Sequence, residues 1–275
     1  MRNVKWLVCG VVVWAALAGV ARADDPTATA IRTTVEAAGP AIVPLKVVLS
    51  FRQQERENEL LGTVIDETGL IVTSNAAADP VSVGAALRPG SAIESEIKGV
   101  SLIRPDGTEL ALKVVLRDAD LDLMFLRPEQ QTDLAHLALP ETGADPALGD
   151  RLILVGRLGA IGDRQPVVTA ARVQAVIDKP RRFYITRPTD RTLPFGCPVF
   201  DGNGALVGFV TLRFTMQTNG AALLPVILPL ADVLDDVAQV REDEAEEATE
   251  LVVPEAPVPE DEPMEEGSTE GSASE

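Results

Sequence analysis

The chain has 275 residues, 24 of them basic and 42 acidic, for a net charge of −18. That length suits one large or two small domains, and with 46% hydrophobic but only 4% aromatic residues the core must be built mainly from Val, Leu, Ile and Ala. The acidic balance excludes nucleic acid as a partner, because phosphate binding needs clustered Lys and Arg, and it argues equally against an anionic membrane surface.

The first segment reads MRNVKWLVCGVVVWAALAGVARADD. Arg2 and Lys5 form a short basic lead, Trp6 to Val20 an apolar run of 15, and Ala21-Arg22-Ala23 a small-x-small cleavage site. This is the pattern of a secretory signal peptide over residues 1–23. The alternative is an uncleaved anchor, but the run is shorter than the roughly 20 residues that span a bilayer. Cys9 precedes most of the apolar run, so there is no lipobox. Cleavage after Ala23 removes three basic residues and no acidic one, which leaves 21 against 42 and no stable membrane span. It also leaves Cys197 as the lone cysteine, so no internal disulfide can form.

Residues 27–38, TATAIRTTVEAA, suit a short lead-in helix. Strand-like apolar runs follow: AIVPLKVVLSF, LLGTVID, GLIVTS, GVSLIRP, ELALKVVLR and DLMFLRP, with turn signals at Glu67-Thr68-Gly69 and Asp106-Gly107. A polar linker, 128–150, separates them from a second set: RLILVGRL, PVVTAARVQAVID, RFYITRP, CPVFD, ALVGFVTLRF and AALLPVILP. Turns are expected there at Asp201-Gly202-Asn203-Gly204 and Asn219-Gly220. Two sets of about six short strands predict an all-β domain of two six-stranded antiparallel barrels, about 40–130 and about 145–228. Leu230, Val233, Leu234 and Val237 fall on one helical face, predicting a closing helix over 229–240. The last segment, 241–275, holds 14 acidic residues and one Arg and is expected to be a disordered tail.

Three segments, in order, resemble the trypsin-like protease domain of the HtrA/Deg family. GTVIDETGLIVTSNAAAD resembles the strand–turn–strand ending in that family's Thr-Asn-Asn-His-Val-Val. LRDADLDLMFLR resembles its Arg-Asp-x-x-x-Asp-Leu-Ala-Val-Leu-Lys. TLPFGCPVFDGNGALVGFV resembles Gly-Asn-Ser-Gly-Gly-Pro-Leu-Phe-Asp-x-x-Gly-x-Val-Val-Gly. The closing LLPVILPLADVLDDV resembles the family's last strand and helix, so the likeness covers roughly residues 28–240. It implies the chymotrypsin fold. Carried across residue by residue, the catalytic His falls on Ala76, the catalytic Asp on Asp122 and the nucleophilic Ser on Phe195. The oxyanion-hole donors fall on Leu193 and Phe195.

Only Asp122 keeps a triad side chain. Acyl transfer by this template needs an oxygen or sulfur nucleophile and a base to take its proton. Phe195 has no proton to lose and Ala76 cannot accept one. Leu193 beside Pro194 also replaces the glycine that lets the loop aim two N–H groups at one point. Cys197 is the one substitute nucleophile within the loop, but a thiol needs a base or a lowered pKa, and the sole histidine, His136, lies in the linker segment DLAHLALP. A buried structural cysteine is the plainer reading. Ser95-Glu96-Ile97-Lys98 spells S-x-x-K without the companion motifs of penicillin-binding enzymes. No metal-ligand cluster or phosphate loop is present, so neither cofactor nor metal is expected.

The resemblance with these departures implies a secreted or periplasmic pseudoprotease that binds a protein or peptide partner. Asp122 then serves structure by accepting N–H groups near residues 75–77, and Phe195 either plugs the old cleft or anchors a bound peptide. Relatives often carry a PDZ domain after the protease domain, and here the acidic tail takes that place. Two alternatives stay open: an active HtrA-like endopeptidase with a non-standard nucleophile or base, and a plain structural β-rich envelope domain.

Overall fold

The computed structural model describes residues 26–52, 54–86, 95–186, 194–217 and 220–250. The expected signal segment, Leu193, Asn219 and the chain beyond Glu250 lie outside the described residues. The expected lead-in helix is α1, Pro26–Ala38, followed by a short 3-10 turn, Gly39–Ala41. Six strands follow: β1 (Ile42–Phe51), β2 (Gln54–Val64), β3 (Ile71–Ser74), β4 (Ser95–Ile103), β5 (Glu109–Asp118) and β6 (Leu123–Pro128). They close into a barrel in the order β1-β2-β3-β6-β5-β4, and β1 pairs with β4 to complete the ring. Two short helices, α2 (Asn75–Ala78) and α3 (Pro80–Ala86), leave the end of β3.

Period-two patterning places the core. Leu45, Val47 and Leu49 of β1 alternate inward, as do Val100 and Leu102, Leu110 and Leu112, and Met124 and Leu126. The turns are made by one device used three times. Asp66 Oδ1 accepts from the backbone N–H of Thr68 and Leu70, with Gly69 at φ +83°. Asp106 Oδ1 accepts from Thr108 N–H beside Gly107, also at φ +83°. Asp201 Oδ1 accepts from the N–H groups of Asn203 and Ala205, with Gly204 at φ +88°. An aspartate caps each turn and a glycine takes its left-handed residue.

The second half forms a curled sheet in the order β8-β7-β11-β12-β13-β10-β9. The strands are β7 (Arg151–Arg157), β8 (Pro166–Arg172), β9 (Ala175–Ile177), β10 (Phe183–Ile185), β11 (Pro198–Asp201), β12 (Leu206–Gln217) and β13 (Gly220–Pro229). Six strands were expected and seven are found among the described residues, because one of them bends. Val173 N–H donates to Asp150 O at 3.0 Å, beside β7, while Gln174 N–H donates to Ile185 O at 2.7 Å, on β10. The two edge strands are thus one chain stretch that changes partner at residues 173–174, which curls the sheet back on itself. The overall architecture is the two-barrel arrangement of the chymotrypsin fold. Its second core gathers Leu152, Leu154, Tyr184, Val199, Val210 and Ile227.

The linker pairs with both halves: Leu137 N–H donates to Val64 O at 2.9 Å and Ala144 N–H to Leu206 O at 2.8 Å. The last helix, α4, runs Leu230–Glu250. This corrects the expected boundary at 240, since the first ten residues of the acidic tail are helical. The reason is propensity: from Arg241 to Glu250 the chain holds Glu and Ala with no Gly or Pro, and these strong helix formers extend a helix already nucleated by the apolar face before them. Residues from Leu234 onward form a unit separate from the barrels. Among the described residues no helix is long and apolar enough to cross a membrane.

Candidate functional site

β3 ends at Ser74, whose extended backbone (φ −79°, ψ 126°) lets it cap α2 by accepting Ala77 N–H at 3.1 Å. Ala76 follows in the first turn of that helix and is buried. Asp122 closes the turn before β6 with a left-handed φ of +61°, a conformation Asp tolerates better than most residues. Its backbone carbonyl accepts Asn75 N–H at 3.1 Å, locking the two turns together. The residue is 4% exposed and its carboxylate accepts from three donors. Oδ1 accepts Ala76 N–H at 2.6 Å, and Oδ2 accepts the Ser74 hydroxyl at 2.7 Å and Leu212 N–H at 2.6 Å. Leu212 belongs to β12, so this carboxylate bonds the two barrels to each other.

Burial pushes the Asp122 carboxyl up to about 6 in spite of these three donors and the nearby Arg213 guanidinium. Arg213 is held by donation to Asp120 O and by stacking 5.8 Å above the Phe183 ring. The sign for stability follows. Unfolded, this proton is lost near pH 4; folded, near pH 6. Between the two the native state binds more protons, so stability contributed here falls as pH rises through that window and is at its lowest above pH 6. A gap of this size corresponds to about 3 kcal/mol. The difference in unfolding free energy between the natural chain and Asp122→Asn, followed by urea titration from pH 4 to 7, is expected to carry this slope. A difference that stays flat with pH contradicts it.

The third segment packs directly on the first. Gly196 has φ +76°, and a Cβ there would lie 2.7 Å from Leu61 O and 2.9 Å from Thr73 Cα, one residue before Ser74. Thr63 Oγ1 donates to Gly196 O at 2.9 Å and Gly196 N–H to Val210 O at 2.8 Å, so this loop is bonded to both barrels. Pro194 rests against Gly156, where a Cβ would come within 2.8 Å of its ring. Phe195 is half-buried and packs on the core cluster of the second barrel. Leu193 lies outside the described residues.

Cys197 is 0% exposed, and burial pushes its thiol far above the ordinary range, with Arg157 offsetting only part of that rise. His136 is exposed, in the linker. Among the described residues no hydrogen bond joins His136 to Cys197, so no nucleophile–base pair is assembled. Ser95 Oγ donates to Asp79 Oδ1 at 2.6 Å and lies 2.8 Å from Ser82 Oγ, while Lys98 pairs with Glu96 at 2.6 Å. Ser95 and Lys98 therefore serve different partners, and the S-x-x-K string does not assemble. Iodoacetamide is expected to alkylate Cys197 only after the chain is denatured, which mass spectrometry of native and urea-treated samples would register.

One structural residue carried no sequence signal. Arg157 ends β7 and donates to three carbonyls: Nε to Ile42 O at 2.5 Å, one terminal nitrogen to Gly39 O at 2.7 Å and the other to Arg164 O at 3.1 Å. It ties the second barrel to the start of the first.

The profile of the trypsin-like peptidase domain family matches residues 61–209, more than half of the chain and a span that includes Ala76, Asp122 and Phe195. No curated protein matches the chain. With the two-barrel fold, the match shows that the chain belongs to the trypsin-like peptidase domain family.

Proposed function

We propose that the chain is a catalytically silent trypsin-like domain of HtrA/Deg type, exported to the periplasm or beyond, that works by binding a protein or peptide. One observation carries the reading. The first two family segments meet at Asp122, and its carboxylate is engaged by Ser74, Ala76 N–H and, from just beyond the third segment, Leu212 N–H rather than by an imidazole. Ala76 and Phe195 stand at the positions where the resemblance calls for base and nucleophile. A carboxylate that orients no base has no catalytic work in this template, and its bonds to both barrels give it a structural one.

An alternative thiol mechanism lacks support, because Cys197 is wholly buried and its thiolate is disfavoured. Two experiments test the proposal. Native labelling with a fluorophosphonate probe is expected to leave the chain unmodified, whereas stoichiometric labelling abolished by a point substitution would restore the peptidase reading. Affinity capture from the native envelope is expected to recover a protein partner above the level of an unrelated domain, and recovery no greater than that control would remove the binding role. Export is checked separately: the mature N-terminus is expected at Asp24, and retention of Met1 would contradict it.

A further inference from the structure

Away from Asp122, a cleft of about 530 Å³ opens where β1, the linker and the β7–β8 hairpin meet. Neither Ala76, Asp122 nor Phe195 lines it. Its volume lies in the range of small-molecule sites, which pair an apolar surface with a few placed polar groups. Val43, Ile103 and Leu134 are half-buried and line its walls as an aliphatic surface.

The charged groups around it are unequal. Arg164 is taken by Glu59, with contacts of 3.1 and 3.2 Å. Asp133 and Asp163 are exposed and keep their water. Arg157 is different: it is half-buried, and burial lowers its pKa. It has five N–H groups, of which three are given to Ile42, Gly39 and Arg164 carbonyls, and among the described residues no carboxylate pairs with it. A desolvated cation without a counter-ion is unfavourable, and an anion brought to it gains a charge-assisted hydrogen bond. Arg104 lines the same cleft; with the Thr108 hydroxyl, its charge helps to hold the exposed Asp106 carboxyl below its usual range.

We propose that this cleft binds a small organic carboxylate with an aliphatic body, its head between Arg157 and Arg104 and its chain on Val43, Ile103 and Leu134. Two sources share this chemistry: a free short-chain fatty acid and the carboxyl terminus of a peptide ending in an aliphatic residue. The site is independent of the proposed loss of catalysis.

The test uses the full mature chain, isotopically labelled and titrated with hexanoate to 5 mM while amide shifts are followed. Shifts are expected to concentrate at residues 42–43, 102–104, 133–135 and 157–165. Hexanol, which lacks the charge, and acetate, which lacks the body, are each expected to bind at least tenfold more weakly. Arg104→Gln leaves the Arg157 ties intact and is expected to weaken hexanoate at least tenfold. Arg172→Gln, outside the cleft, is expected to leave it unchanged. A tetrapeptide ending in leucine, compared with its C-terminal amide, distinguishes the sources. Tighter binding of the acid than of hexanoate assigns the site to peptide termini, and the reverse assigns it to free acids. No saturable shifts with either probe, equal binding of hexanoate and hexanol, or an Arg104→Gln chain that binds hexanoate normally would overturn the proposal.

Discussion

Gly208→Ala is expected to prevent the second barrel from forming. A Cβ at this position would lie 1.8 Å from Leu228 O, 2.8 Å from Leu228 C and 3.0 Å from Leu230 N. All three are backbone atoms, so no side chain can swing aside. The position is also a point of irregular pairing. Val199 faces Gly208 while Phe200 faces Leu206, so β12 holds an extra residue there against β11. Relief would require parting β12 from β13, the longest pairing in that sheet. A loss of more than about 4 kcal/mol is the expected scale for overpacking against backbone, enough to unfold a marginally stable domain. Circular dichroism and urea unfolding would show it. Gly196→Ala should be the next most damaging glycine change, because its Cβ meets Leu61 O and Thr73 Cα and its φ of +76° strains any L side chain. Gly99, with nothing within 4 Å of a Cβ, is the control and should accept alanine readily. A Gly208→Ala chain as stable as Gly99→Ala would mean that the β12–β13 crossing is drawn wrongly.

Asp122→Ala is expected to destabilise the chain by about 2–4 kcal/mol at neutral pH. Two effects oppose each other. Removing the carboxylate relieves the cost of a charge that burial disfavours. It also strands the N–H groups of Ala76 and Leu212 and the Ser74 hydroxyl, each in a buried or half-buried setting. Leaving a buried donor unpaired costs roughly 1–3 kcal/mol, and three of them outweigh the relief. Asp122→Asn should lose less, because the amide keeps one oxygen for Ala76 N–H; its NH₂ then faces both partners of Oδ2, of which the Ser74 hydroxyl can turn to accept and Leu212 N–H is left opposed. Ser74→Ala removes one bond from the carboxylate and one cap from α2, for about 1 kcal/mol. Unfolding free energies in urea at pH 7 rank the series. If Asp122→Ala proved more stable than the natural chain, the carboxylate would be a remnant held against folding, and a role for it in activity would have to be reconsidered.

Much of the fold was legible because it rests on local chemistry. Alternation in IVPLKVVLS and ELALKVVLR marks strands with one face inward, and an aspartate followed by a glycine marks each of three hairpin turns. The same local rules misplaced the end of α4, where charge was weighed above the helix propensity of Glu and Ala. Features set by distant partners were not legible. Nothing around Val173 signals that the strand changes neighbours there, since the cause is curvature of the whole sheet. Arg157 reads as an ordinary polar end to RLILVGR, and only the fold delivers three carbonyls to it. Near Asp122 the donors at Ser74 and Ala76 lay within the resemblance, but Leu212 N–H comes from 90 residues away. Backbone donors carry no residue identity, so no sequence pattern could have named it.

The central claim is that this peptidase scaffold performs no hydrolysis. The most direct measurement is release of peptides from unfolded casein by the purified mature chain over a day, beside Cys197→Ala and a buffer blank. No release above the blank by either protein is the expected result. Release that persists through repurification and disappears in Cys197→Ala would transfer catalysis to the buried thiol. Release retained in both would show that the chain hydrolyses peptides by residues other than Ala76, Phe195 and Cys197, and the account of a silent site would be wrong.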